Sequence, residues 1–171
     1  MGPISVETTI DATREQVFEA ITDLALRPSY TGHFQHSYRL ERIEPRGVGA
    51  GARFRTGPKG ARTWMETTIE HAERPHKVSE HGTAARLNRT EVRTAWELHE
   101  GPGAVTTVRL TFWTHPPSLL VRFQELATLS SSWYKRHWKK SLGQLAEVVE
   151  GRRPTTRVKV AGGDRAFTGV A

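Results

Sequence analysis

Cysteine is absent from the 171 residues. Disulfides, thiolate chemistry and cysteine-built zinc sites are thereby excluded, and the fold does not depend on a redox compartment. Long apolar runs are absent too: nothing approaches the roughly 20 residues that a membrane-spanning helix needs. The opening Met1-Gly2-Pro3-Ile4 has no basic n-region and no apolar h-region, so no secretion signal is expected and a cytoplasmic location is the default expectation. Val6 stands where a myristoylation motif wants Ser or Thr. The glycine-rich stretch from Gly47 to Gly51 opens no helix and does not follow the phosphate-loop pattern, so hairpin flexibility accounts for it better. No HExxH signature and no supported Ser-His-Asp constellation occurs.

What is present fits one soluble globular domain. The length favours a single core over two small ones. The net charge of +7 raises the question of a nucleic-acid partner. Its distribution argues against a specific one. Arg152, Arg153, Arg157, Lys159 and Arg165 against Asp164 leave +4 on residues 151–171 and +3 on the rest. The sequence therefore divides into a domain over 1–150 and a basic, loosely ordered tail over 151–171, whose charge serves solubility.

Ile4, Val6, Thr8 and Ile10 alternate with Ser5, Glu7 and Thr9, the pattern of a half-buried strand. A helix follows, with Thr13 and Gln16 at capping-box spacing and Val17, Phe18, Ala20, Ile21 and Leu24 as its apolar face. Arg27-Pro28 interrupts it, because proline disfavours helical geometry at the preceding residue. Pro28 to Phe34 reads as a short helix or structured loop. Six strand-like segments come next, over 35–44, 52–56, 62–73, 76–81, 90–99 and 105–114. The last two form a hairpin around Gly101-Pro102-Gly103. Short turns between successive strands imply an antiparallel meander. From Pro116 to Glu150 apolar residues recur at helical spacing, interrupted by Ser130-Ser131-Ser132 beside Trp133-Tyr134. Small polar residues beside aromatics suit the wall of a cavity. One unbroken helix over 118–150 would be about 50 Å long at ~1.5 Å per residue, so a kink or break is expected near Ser130 to Ser132. The fold class is α+β: a curved antiparallel sheet of about seven strands wrapped around a long C-terminal helix, with short helices after the first strand.

This order resembles the START-like, or SRPBCC, superfamily and its polyketide cyclase/dehydrase-like branch. The likeness runs over about residues 3 to 150. It is carried by Ile4 to Ile10 with Asp11 to Phe18, by Ile69 to Val78, by Thr94 to Leu98 before a glycine turn, and by Leu142 to Glu150. The resemblance implies a helix-grip fold with a hydrophobic cavity between sheet and C-terminal helix. Some members of the superfamily are enzymes and many only bind or carry lipids, sterols or polyketides. Fold does not by itself imply chemistry.

Strand alternation then selects candidate cavity residues. Ile69 pointing inward brings Thr67 and Met65 with it, and Val78 brings Glu80. Thr94, Trp96 and Leu98 share one face, as do Thr106, Val108, Leu110 and Phe112, with Tyr38 and Phe54 completing the set. The expected ligand-binding residues are Tyr30, Phe34, Tyr38, Phe54, Met65, Trp96, Phe112, Phe123, Ser130, Tyr134 and Trp138, against the plainer reading that each is core.

Glu80 and His33 are the candidate acid-base residues. A carboxyl buried beside apolar walls would have a raised pKa. The favoured reading of Glu80 is instead an exposed side chain, or one paired with Arg55, Arg62 or Arg93. His33, His36 and His81 read as loop or surface histidines and not as metal ligands. Lys135-Arg136 and Lys139-Lys140 form a basic helix face, solvated or in contact with anionic lipid or an acidic partner. The leading expectation is binding of a lipid-, sterol- or polyketide-like hydrophobic molecule, with no cofactor. The alternatives are a cyclase/dehydratase-like enzyme and an interaction module using tail and helix face. Oligomeric state is not legible.

Overall fold

The computed structural model describes residues 2–84, 90–115 and 131–158. In chain order these form β1 (Ile4–Ile10), α1 (Arg14–Thr22), α2 (Pro28–Thr31), β2 (His36–Leu40), β3 (Gly51–Thr56), β4 (Thr63–Glu73), β5 (Lys77–Ala84), β6 (Thr90–Glu100), β7 (Thr106–His115) and α3 (Ser131–Val149). The seven strands make one antiparallel sheet in the order β1-β7-β6-β5-β4-β3-β2. Strands β2 to β7 follow one another as hairpins. The chain reaches β2 from β1, at the opposite edge, by way of α1 and α2. The two short helices therefore span one end of the sheet, while α3 packs on β1 and α2. This is the α+β helix-grip architecture expected from the sequence.

Local chemistry sets the elements. The capping box of α1 is complete: the Gln16 amide donates to Thr13 Oγ1 at 3.3 Å, and the Thr13 amide donates to Gln16 Oε1 at 3.0 Å. The β6–β7 hairpin closes where the Gly101 amide donates to the Val105 carbonyl, with Gly103 at a φ of 72°. Along β6, Thr90, Val92, Thr94, Trp96 and Leu98 are buried, and along β7 Thr106, Val108, Leu110, Phe112 and Thr114. The inner face is thus read correctly from alternation. On β4 the pattern holds through Met65, Thr67 and Ile69. A register shift between Ile69 and His71 then leaves Glu70 and His71 both exposed. Such a bulge bends the strand and breaks the period-2 rule at that point.

Two sequence expectations are corrected here. The break between α1 and α2 falls where expected, but Arg27, although it precedes a proline, adopts helical geometry, φ −50° and ψ −41°. The start of the expected loose tail is docked. The Val158 amide donates to the Ala25 carbonyl at 3.0 Å and the Thr156 amide to Ser29 Oγ at 2.7 Å, while Arg157 pairs with Asp23 at 2.6 Å. Phe123, Ser130 and the tail beyond 158 lie outside the described residues. So does part of the expected break at 130–132; the described helix begins at Ser131.

Gly82 sits mid-strand on β5, where a Cβ would lie 1.9 Å from the Glu66 carbonyl oxygen of β4. Gly82→Ala is therefore expected to destabilise the fold by about 3 kcal/mol or more, through forced separation of two central strands. Urea denaturation checks this; an unchanged midpoint would refute the close approach.

Candidate functional site

The inner face of the sheet holds a charge. Glu80 on β5 is 4% exposed and Arg27, at the α1–α2 junction, 1%. Both guanidinium NH groups reach the carboxylate: Nη1 donates to Oε2 at 2.8 Å and Nη2 to Oε1 at 2.7 Å. Trp96 Nε1 on β6 donates to Oε1 at 2.8 Å, and Thr67 Oγ1 on β4 donates to Oε2 at 2.9 Å. Nη2 also donates to the Ile21 carbonyl at 3.0 Å. Three neighbouring strands and one helical segment thus converge on one carboxylate that accepts four hydrogen bonds.

This geometry decides the protonation state. Burial on its own would raise the Glu80 carboxyl, as a general acid would require. The Arg27 charge and the bonds from Arg27, Trp96 and Thr67 outweigh burial and hold it below its ordinary value. Burial acts to lower the Arg27 guanidinium; the Glu80 charge reverses that and keeps it a cation. The expectation that Glu80 is exposed, or paired with Arg55, Arg62 or Arg93, is corrected. Arg93 pairs with Glu91, and Arg55 lies over the Trp64 ring on the outer face. The sequence pattern marks Arg27 only as the residue before a helix-interrupting proline. An arginine inside Leu24-Ala25-Leu26-Arg27-Pro28, with apolar neighbours on its N-terminal side, was the available signal.

Around the pair stands an aromatic wall. The Arg27 guanidinium lies 5.5 Å from the Trp96 ring centre, and Trp96 meets Trp138 of α3 edge-on at 5.9 Å. Trp138 also packs edge-on against Phe34 at 5.2 Å, and Phe112 stacks with Tyr134 at 5.0 Å. Tyr30 is fully buried beside Arg27 without meeting it in hydrogen-bond geometry. Of the expected ligand residues, the structure brings Tyr30, Phe34, Trp96, Phe112, Tyr134 and Trp138 into this centre. Tyr38, Phe54 and Met65 line the β2–β4 side: Phe54 pairs with Met65, and Tyr38 stacks on Phe54 at 5.7 Å while donating to the Leu24 carbonyl. Among the described residues, several buried polar atoms meet no partner in hydrogen-bond geometry, among them Arg27 Nε, Tyr30 OH and Trp138 Nε1. Among the described residues, one hollow between Thr13 to Glu15 and the β6–β7 turn (Glu100, Gly103 to Thr106) and another at Asp11, Glu150 and Arg152 open on the surface away from this centre.

His33 lies between α2 and α3. Its Nε2 is 3.3 Å from the His137 carbonyl. With the Gln144 amide turned so that its nitrogen faces the ring, that nitrogen donates to His33 Nδ1 at 3.0 Å. Burial holds the imidazole below its ordinary value, against the bond to the His137 carbonyl and with help from the Lys140 charge. Both nitrogens are engaged by a neutral ring. His81 lies on the outer face beside Glu91, and no group of three metal-ligating side chains converges among the described residues.

Over residues 1–150 the chain matches the family described as polyketide cyclase/dehydrase and lipid transport, and it belongs to that family. The fold recurs in solved structures of low sequence identity. KanY is 22% identical with a TM-score of 0.67, over 88% of this chain and 100% of that one. Ginseng major latex-like protein 151 from Panax ginseng is 12% identical with a TM-score of 0.63, over 86% and 96%. DynU16, from the dynemicin biosynthetic locus, is 21% identical with a TM-score of 0.59 over 92% of this chain, which spans only 50% of DynU16. No curated protein sequence matches the chain significantly. Family and fold together define a helix-grip domain of the SRPBCC type.

Removing one partner of the ion pair strands the other charge. Arg27→Met and Glu80→Gln are each expected to cost about 3–5 kcal/mol, and the double variant less than their sum. Because folding lowers the Glu80 pKa, its stabilisation is full above the ordinary value of 4.5 and is lost as pH falls through the folded value. Stability measured against pH should therefore decline more shallowly on the acid side in Glu80→Gln than in wild type; identical acid limbs would refute the linkage.

Proposed function

We propose that this chain binds a hydrophobic small molecule, lipid-, sterol- or polyketide-like, between the inner face of the sheet and α3. The observation that carries this reading is the combination of an aromatic wall with buried donors that have no acceptor: Tyr30 OH, Trp138 Nε1 and Arg27 Nε. An unsatisfied buried polar group costs about 1–3 kcal/mol, so a Trp138 Nε1 without an acceptor, beside a Tyr30 hydroxyl and an Arg27 guanidinium that approach without good hydrogen-bond geometry, requires an explanation. A ligand oxygen that accepts from them supplies one, while its apolar body is held by Phe34, Phe112 and Trp96 at about 25 cal/mol per Å² buried. Near-complete burial of these side chains means that the ligand enters by parting the aromatic cluster. The family's description, with its lipid transport and cyclase members, is consistent with such a ligand.

A cyclase- or dehydratase-like reaction needs a group that moves protons. Glu80 is committed to Arg27 as an anion, and both nitrogens of His33 are engaged. Neither candidate favours catalysis, so binding is the reading that the residues support.

Native mass spectrometry of the purified protein is expected to reveal a co-purified lipophile, and a neutral lipophilic fluorescent dye such as Nile red should bind saturably and be displaced by long-chain ketones. Tyr30→Phe removes one orphaned hydroxyl and keeps the ring. It should leave the melting temperature unchanged or higher and weaken ketone binding about tenfold. No adduct together with no saturable dye binding would sink the proposal.

A further inference from the structure

On α3, Lys135, Arg136, Lys139 and Lys140 are all exposed, and none forms an ion pair among the described residues. With 3.6 residues per turn the four fall within an arc of about 140°, so they share one face. Lys135 and Lys139, and Arg136 and Lys140, are four apart, the spacing at which like charges repel along a helix. No acidic residue occurs from Ser131 to Ala146 to relieve this. The outer face of the sheet is built differently: Arg53, Arg93 and Arg109 each meet a glutamate, at 3.3, 2.7 and 3.0 Å. Folding alone gives no reason for the helix to concentrate its cations, whereas contact with an anionic surface does.

We propose that this face of α3 docks the protein on an anionic lipid bilayer. Charge complementarity admits any polyanion; the position of the face selects the bilayer. The opposite side of the same helix carries Tyr134 and Trp138, which wall the ligand centre. A bilayer held by the outer face stands one helix diameter, about 10 Å, from that centre. A bilayer is also the phase in which an apolar ligand dissolves. A nucleic acid or an acidic protein would use the charges but would have no reason to meet the helix that borders the ligand. The choice of a bilayer rests on the apolar-ligand reading, but vesicle binding is measured without ligand, so the two can fail separately.

The test is co-sedimentation of the purified chain with phosphatidylcholine vesicles and with vesicles that also contain phosphatidylserine. Each cation near an anionic surface contributes about fivefold in affinity, so the four together give several-hundredfold. Wild type should pellet with the mixed vesicles and not with phosphatidylcholine alone, and should be released by salt. Replacing all four (Lys135→Gln, Arg136→Gln, Lys139→Gln, Lys140→Gln) should abolish pelleting and leave the melting temperature at or above that of wild type. Equal pelleting with both vesicle types, or undiminished pelleting of the fourfold variant, overturns the proposal. So does binding to an oligonucleotide or to polyglutamate while the mixed vesicles are left free, which would assign the face to another partner. Should the variant not fold, wild-type pelleting that does not respond to salt overturns it as well.

Discussion

The Arg27–Glu80 pair is the interaction on which the arrangement of the other elements depends. Two charges taken out of water are costly, and their attraction repays that only with good geometry and further hydrogen bonds. Here the carboxylate has both guanidinium NH groups, the indole of Trp96 and the hydroxyl of Thr67. An apolar pair of similar volume could join helix to sheet as firmly. The ionic pair adds position, because four donors around one carboxylate leave little freedom to shift. The α1–α2 junction is thereby fixed over β4, β5 and β6. From that fixed point Tyr30 is set beside Arg27, Tyr38 reaches the Leu24 carbonyl, and Asp23 collects Arg46 and Arg157.

The fold was legible in the sequence wherever the information is local. Period-2 alternation marks the inner face of β6 and β7, a capping box opens α1, and Gly101-Pro102-Gly103 closes a hairpin. The limit comes where one residue breaks the period. Beyond Ile69 the β4 bulge puts consecutive residues outward, and no composition signal announces it. The candidate centre was legible only in part. Its aromatic members follow from strand and helix phase. Glu80 follows from phase as well, but its partner lies 53 residues earlier in a segment whose local signal is a proline. Pairing over that distance is decided by topology: the crossing of α1 and α2 from one sheet edge to the other brings Arg27 over β5.

The same topology decides the chemistry. A glutamate enclosed by apolar side chains tends toward a high pKa and so toward proton transfer. One guanidinium at hydrogen-bond distance reverses that tendency and makes Glu80 a fixed anion. The centre is then electrically closed: the cation and anion satisfy each other, and what is left over is a set of neutral or edge donors on Tyr30, Trp138 and Arg27. On the proposed reading, donors without acceptors would select a neutral ligand bearing an accepting oxygen over one bearing a formal charge, which would have to compete with Glu80 for Arg27 or be repelled by it. If the proposed ligand binds here, a fixed ion pair would act as a filter on its polarity without touching its apolar body.

Net charge counted along the sequence places the positive excess in the C-terminal segment, but among the described residues the unpaired positive charge is concentrated on α3. Arg152 pairs with Glu150, Arg153 with Glu147 and Arg157 with Asp23. Those arginines hold the segment to the domain, and their fields are largely cancelled at the surface. Among the described residues the cations of α3 have no such partners, so a modest overall charge becomes a directional one. A charged particle near an oppositely charged surface turns its most strongly charged face toward it. Among the described residues that face is the outer side of the helix whose inner side carries Tyr134 and Trp138, so on the two proposals above electrostatic orientation and ligand access would converge on α3.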